Sequence, residues 1–322
     1  MTIVLLTDSA TGSTAQIATH LGFNCFDFQA VSADGRQVSV IDADPKFTTE
    51  DPAFSHNGIP ILFPFPNRIE GGKYSWEGTD YHLPESLVGY EGNGNAIHGF
   101  VLDRPWRIIE QTESSVTAAF QLSVDDAERC HLWPTDAEIQ IRYSLNGTTL
   151  RADFTVRNPS EKPLPWGLGT HAYFRLPMAT GSSADNCTVY AAAEKQWVLN
   201  DCLPTGELKD PEPGSKLTVA QKFADLKLDD VYTNVQSVDG IVTCRIVDEE
   251  AGLQIVQTCD DSFREIVAFT PPWTSAVCLE PYTCTTNAIN LQQQGVDAGL
   301  KVLGPGQAWN GWIEISAGVV QG

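Results

Sequence analysis

The stretch AEIQIRYSLNGTTLRADFTVRN, residues 137–158, alternates apolar and polar residues on both sides of an Asn-Gly step. Ile139, Ile141, Tyr143 and Leu145 share one parity, and Leu150, Ala152, Phe154 and Val156 repeat it. Successive side chains of an extended strand point to opposite faces, so each run makes one apolar and one polar face. Asn146-Gly147 tolerates the positive φ of a tight primed turn, which predicts an antiparallel hairpin turning at those two residues.

The same signature recurs outward from this hairpin. KYSWEGTDYHL (73–83) is a smaller copy, GIVTCRIVDEEAGLQIVQTC (240–259) has a longer loop, and NGWIEISAG (310–318) adds a strand near the end. Helical periodicity is scarce; VAQKFADLKLDD (219–230) has room for a turn or two. The 26 glycines and 19 prolines punctuate the chain at short intervals. Many short strands with frequent turns predict an all-β protein, a large antiparallel β-sandwich or barrel, over residues 1–322 as a single domain. One broad face of such a sandwich can serve as an open cleft.

Composition narrows the function. The 322 residues are 42% hydrophobic, enough for a large core and too many for a disordered chain. A formal net charge of −21 repels phosphate backbones and anionic lipid, so neither nucleic acid nor a membrane is the expected partner. The blander meaning of that charge is solubility. No apolar run approaches a membrane span, and the first ten residues lack a signal-peptide layout. Eight scattered cysteines without a CxxC pair read as reduced thiols, giving a cytoplasmic expectation. Asn146-Gly147-Thr148 and Asn186-Cys187-Thr188 match the glycosylation pattern, which carries little weight without a secretion signal.

Four stretches combine ionisable side chains with rigid context. ILFPFPNRIEGG (61–72) holds Asn67 and Arg68 behind two Phe-Pro steps; a guanidinium on a stiff loop suits forked hydrogen bonds to hydroxyls or carboxylates, or simply pairs with Glu70. GNAIHGFV (94–101) sets His98 at an apparent strand start beside Gly99, where another backbone can come close, although such a histidine is more often structural. WGLGTHAYFRL (166–176) puts His171 between glycines and the aromatics Tyr173 and Phe174, which suit the apolar faces of a sugar or ordinary core packing. VCLEPYTCTTNA (277–288) ends an apolar run on Glu280, followed by Pro281, which is expected to stop the strand. A carboxylate there either does acid–base work with a histidine or pairs with Arg264 or Arg175. Asp229-Asp230 in LKLDDVYT adds an acidic pair that alone reads as a solvated turn. No HExxH, P-loop, GxSxG or GxGxxG signature is present, and the histidines lack i,i+2 or i,i+4 ligand spacing, so no metal is expected.

Taken together and in order, FPFPNRIEGGKYSWEGTDYHL, NAIHGFV, GTHAYFRL, LDDVYT, VCLEPYTCTTNA and LGPGQAW resemble the aldose 1-epimerase (galactose mutarotase-like) family over roughly residues 58–310. The resemblance implies a supersandwich of antiparallel strands with a sugar cleft on its concave face. It implies Glu280 as catalytic base, His171 as general acid, His98 as a second histidine near the ring oxygen, Asn67 and Arg68 as sugar-binding residues, and Asp230, or Asp229 one step away, as the acid gripping sugar hydroxyls. It implies no cofactor, a small aldose as partner, and a monomer or homodimer interconverting sugar anomers. The chain departs from the family pattern at VAFTPPWTSAVCLE (267–280), which lacks the Gln of a TxQP-like stretch, and after Glu280, where PYTCTTNA replaces TQNxPDA. Alternative expectations are a hexose 6-phosphate mutarotase, using Arg264, Arg175 or Arg104 for the phosphate, and a non-catalytic carbohydrate-binding module on the same fold. A two-carboxylate glycoside hydrolase would leave the histidines idle.

Overall fold

A computed structural model describes residues 2–32, 34–50 and 53–320. It is built almost wholly of antiparallel strands, as the alternation predicts. The opening hairpin pairs Glu138–Asn146 with Thr149–Arg157. Its apolar parity is buried in register, with Ile141 opposite Phe154 and Leu145 opposite Leu150. The turn sits one residue later than expected. Asn146 stays in the strand opposite Thr149, and Gly147-Thr148 make the turn, Gly147 at φ 58°. A glycine at the first central position satisfies a two-residue primed turn without a second positive φ. In the smaller hairpin both turn residues, Glu77 and Gly78, have positive φ. The 219–230 stretch yields one 3₁₀ turn, Phe223–Asp225, while an α-helix forms at Ala288–Gln293, where the sequence reading expects none.

Two large sheets dominate. A ten-stranded sheet runs from Arg107–Gln111 through the opening hairpin and the long strand Ala308–Val319 to Leu253–Asp260 and Ile241–Asp248. An eight-stranded sheet places Asp229–Val235, Glu265–Phe269, Ala276–Tyr282, Gly169–Thr170 and Ile61–Leu62 side by side. A four-stranded sheet of the strands Ile3–Thr7, Thr14–Ala18, Asn24–Val31 and Gln37–Ser39 completes the layers. One apolar core draws on residues from Val4 to Ala317 and includes strands of all three.

Parity in the eight-stranded sheet decides which side chains reach the core. Ile266, Ala268, Val277 and Leu279 join the core, and Gln257 of the ten-stranded sheet ties the layers by donating from Nε2 to the Leu279 carbonyl at 2.9 Å. The opposite parity, Glu265, Val267 and Phe269 on one strand and Cys278, Glu280 and Tyr282 on the next, faces outward in register: Glu265 opposite Tyr282, Val267 opposite Glu280, Phe269 opposite Cys278. Pro281 does not end the strand, which continues to Tyr282. Pro281 lies opposite Ile266 with its missing N–H costing no observed pairing beyond its own position.

No helix among the described residues is long and apolar enough to cross a membrane. All eight cysteines are free, six of them buried.

Candidate active site

Register brings the chemistry together. Tyr173 lies opposite Cys278 and Gly169 opposite Tyr282, so His171, between them in sequence, sits beside Glu280. Its backbone N–H donates to the Pro60 carbonyl at 3.0 Å, which pins this irregular piece of strand. Gly169 is required for packing: a Cβ there would lie 2.3 Å from the Tyr282 ring. The glycines of WGLGTH thus make room for Tyr282, Cys284 and Pro66 rather than for the imidazole itself.

His98 and Asn67 approach from the edge. Arg68 pairs in register with Ile97, and the His98 N–H donates to the Asn67 carbonyl at 2.8 Å. Both residues hold left-handed backbone, Asn67 at φ 55° and His98 at φ 68°. That conformation is uncommon for a histidine and gathers at functional sites, where surrounding structure enforces it. His98 follows a two-residue strand instead of starting one. Gly99 allows the close approach expected of it, since a Cβ there would meet the Phe63 carbonyl at 2.2 Å.

These residues line a cleft of ≈ 360 Å³. Asn67, Arg68, His98, His171 and Glu280 all reach it, together with His56, Glu91, Tyr173, Asp229, Phe269 and Trp273. Glu280 is 1% exposed and both His98 and His171 are 7% exposed, so they form the floor. His171 Nε2 lies 3.3 Å from Glu280 Oε1. The Tyr282 hydroxyl donates to Glu280 Oε2 at 2.5 Å. Glu280 Oε1, His171 Nδ1 and His98 Nδ1 have no hydrogen-bond partner among the described residues.

The walls are aromatic. His171 stacks on Tyr173 at 4.8 Å, Phe269 meets His171 edge-on, and Trp273, half exposed, stacks on His56 at 4.2 Å. The divergent VAFTPPWTSAVCLE segment is the hairpin between Glu265–Phe269 and Ala276–Tyr282, and its turn carries Trp273 to the rim. Parity separates the two acidic candidates. Asp229 pairs opposite Phe269 and lines the cleft, whereas Asp230 points to the other face with Tyr232, itself a core residue. Arg68 does not pair with Glu70; it donates to Asn67 Oδ1 at 2.9 Å and lies 3.9 Å from Glu91. Nor does Glu280 form a structural ion pair with Arg264 or Arg175, which pair with Asp297 and Asp42. Sequence reasoning passed over His56, Tyr282 and Trp273. Tyr282 carries a usable signal, being two residues from Glu280 on the same strand face.

Burial sets the protonation. It pushes Glu280 well above the usual carboxylate range, while the Tyr282 hydroxyl and the charge of Arg68 pull back. It depresses His171 to about 3 and His98 well below the ordinary imidazole value, His98 being lowered further by His171 and Arg68. A raised carboxylate is a stronger base and a depressed imidazolium a stronger acid.

The chain matches known proteins over most of its length. It is 26% identical to the uncharacterized protein YihR of Escherichia coli K12 over 250 residues, 77% of this chain and 75% of YihR. It is 24% identical to the chromosomal LacX protein of Lactococcus lactis over 256 residues, 77% of this chain and 82% of LacX. The crystal structure of a galactose mutarotase-like protein from Clostridium acetobutylicum superimposes with a TM-score of 0.85 at 21% identity, covering 99% of both chains. The family model described as aldose 1-epimerase matches residues 13–316, and the chain therefore belongs to the aldose 1-epimerase family.

Proposed function

We propose that the protein is a cofactor-independent mutarotase that interconverts the α- and β-anomers of an aldose, a hexose in the simplest case. The observation that carries this reading is the buried Glu280–His171 pair, 3.3 Å apart on the floor of a polar cleft with aromatic walls. Opening a hemiacetal needs a base at the C1 hydroxyl and an acid at the ring oxygen. Glu280 takes the hydroxyl proton and His171 gives one to the ring oxygen as the C1–O5 bond breaks. Rotation about C1–C2 presents the other carbonyl face, and the two proton transfers reverse.

The electrostatics favour this direction of transfer. The reacting state is carboxylate plus imidazolium; after ring opening the pair is carboxylic acid plus neutral imidazole, the forms that burial prefers. The Tyr282 hydroxyl and Arg68 lower the cost of the charged starting state. Positioned acid–base groups contribute roughly 10²–10⁴ in rate. His98, T-shaped against His171 at 5.6 Å, supplies a second polar contact to the sugar, and Asn67, Arg68 and Asp229 grip its hydroxyls.

An unphosphorylated sugar fits the charges better than a sugar phosphate. Arg68 is the one Arg or Lys side chain lining the cleft among the described residues, facing Glu91, Asp229 and Glu280. Arg104 and Arg264 lie elsewhere in ion pairs, and Arg175 lines a neighbouring groove against Asp42. A polarimetric assay over a panel of aldoses, with glucose and glucose 6-phosphate side by side, tests the reading. Accelerated exchange of a neutral aldose is expected. Exchange of the phosphate alone would support the rival mutarotase, and no exchange on any aldose would favour a binding module.

A further inference from the structure

Cys278 is the neighbour of the acid–base pair that the proposed reaction does not use. It stands two residues before Glu280 on the strand Ala276–Tyr282, so both side chains leave the same face. The register of Tyr173 with Cys278 brings His171 over both. A ligand atom from each of His171, Cys278 and Glu280 lies within 4.8 Å of the other two, and all three residues are buried. Sulfur, imidazole nitrogen and carboxylate oxygen make the donor set of a tetrahedral zinc-type site with one position left open. Tetrahedral ligands at such bond lengths sit about 3.3–3.8 Å apart. The His171–Glu280 approach of 3.3 Å already meets this, and the Cys278 sulfur lies within 4.8 Å of both.

Two further features point to a cation. Glu280 Oε1, the oxygen that faces His171 Nε2, is buried with no hydrogen-bond partner among the described residues. A divalent ion held by one thiolate, one carboxylate and one neutral imidazole is charge-neutral as a cluster, which suits a buried floor better than any single charge. We propose that His171, Cys278 and Glu280 form a reversible site for a thiophilic divalent cation, and that its occupation switches the proposed epimerase off by engaging both proton carriers. Binding is a simple exchange: the metal displaces the Cys278 thiol proton and the one proton carried by the Glu280–His171 pair, and both leave to solvent. The inhibitory part rests on the function proposed above; the binding part does not.

The test separates them. Chelator-treated protein is titrated with Zn2+ alone by calorimetry and with Co2+ alone by near-ultraviolet absorption, where thiolate ligation gives an intense charge-transfer band. Wild type is expected to bind one ion per chain with the cobalt–thiolate band. Cys278→Ser should lose the band and bind roughly tenfold or more weaker, and His171→Asn should weaken binding comparably. In chelator, Cys278→Ser should keep wild-type mutarotation and, unlike wild type, resist Zn2+. Absence of Zn2+ binding by wild type, or equal binding by wild type and both variants, overturns the proposal. Lack of mutarotation by chelated wild type would overturn the function reading while the metal titrations still stand or fall alone.

Discussion

His171 and Glu280 meet at 3.3 Å with both side chains buried, and burial shifts their proton affinities in opposite directions. The pair is active with one proton between its two members. It gains a second only when imidazole protonates beside a carboxylic acid, near the depressed value of about 3. It loses the first only above the raised affinity of Glu280. The pH profile of kcat/KM should therefore show no acid limb in the ordinary histidine range near 6.5. An acid limb with a midpoint at about 6.5 would show that His171 titrates as a solvated imidazole and would remove it from the acid role.

Asp229, and not Asp230, should carry the polar grip on the sugar. Asp229→Asn is expected to lower kcat/KM by roughly 10–100-fold, the cost of about 1.5–3 kcal/mol for a hydrogen bond to a charged group, mostly through KM. Asp230→Asn should change it little, because that side chain leaves the other face of the strand. Steady-state kinetics on the two variants distinguishes them, and the reverse ranking would mean the strand slips by one residue.

Trp273 sits half exposed on its hairpin turn, backed by His56, at the rim of the cleft and of a neighbouring groove lined by Asp42 and Arg175. Trp273→Ala should weaken sugar binding by about 1 kcal/mol, several-fold in KM, with kcat nearly unchanged. A fall in kcat with KM intact would give the indole a part in the chemistry.

Glu265 offers a stability prediction. It is fully buried, accepts from Trp197 Nε1 at 2.9 Å and from the Thr233 hydroxyl at 3.1 Å, and burial pushes it up to about 8. The unfolded chain releases this proton near the ordinary glutamate value, while the fold keeps it until about 8. Between those limits the native state binds more protons, so the residue's contribution to stability falls as pH rises, by on the order of a few kcal/mol across the window. Glu265→Gln removes the titration while its Oε1 accepts from Trp197 Nε1 and its Nε2 donates to the Thr233 hydroxyl. Its Tm advantage over wild type should grow from pH 5 to about 8 and then level off; a difference independent of pH would contradict the buried, protonated carboxyl.

Much of this was legible in the chain. Alternation in 137–158 and 240–259 gave the hairpins, because strand periodicity is local. Asn67, Arg68, His98, His171 and Glu280 were nameable from their motifs, and all five reach the cleft. What escaped was set by register between distant strands. The choice between Asp229 and Asp230 depends on which parity faces out, and the placement of Cys278 beside His171 depends on a partner strand a hundred residues away. The strand-ending role expected of Pro281 failed because the strand runs on through it to Tyr282. Trp273 looked like part of a departure from a pattern, and only the turn geometry makes it a wall.

The most direct measurement of the central claim is anomer exchange by magnetisation-transfer NMR on a neutral hexose, comparing wild type with Glu280→Gln. Wild type should exchange the anomers well above the spontaneous rate. Glu280→Gln should still bind the sugar, as ligand-observed NMR would show, but lose roughly 10²–10⁴ in exchange rate. Exchange by Glu280→Gln at the wild-type rate would contradict the account.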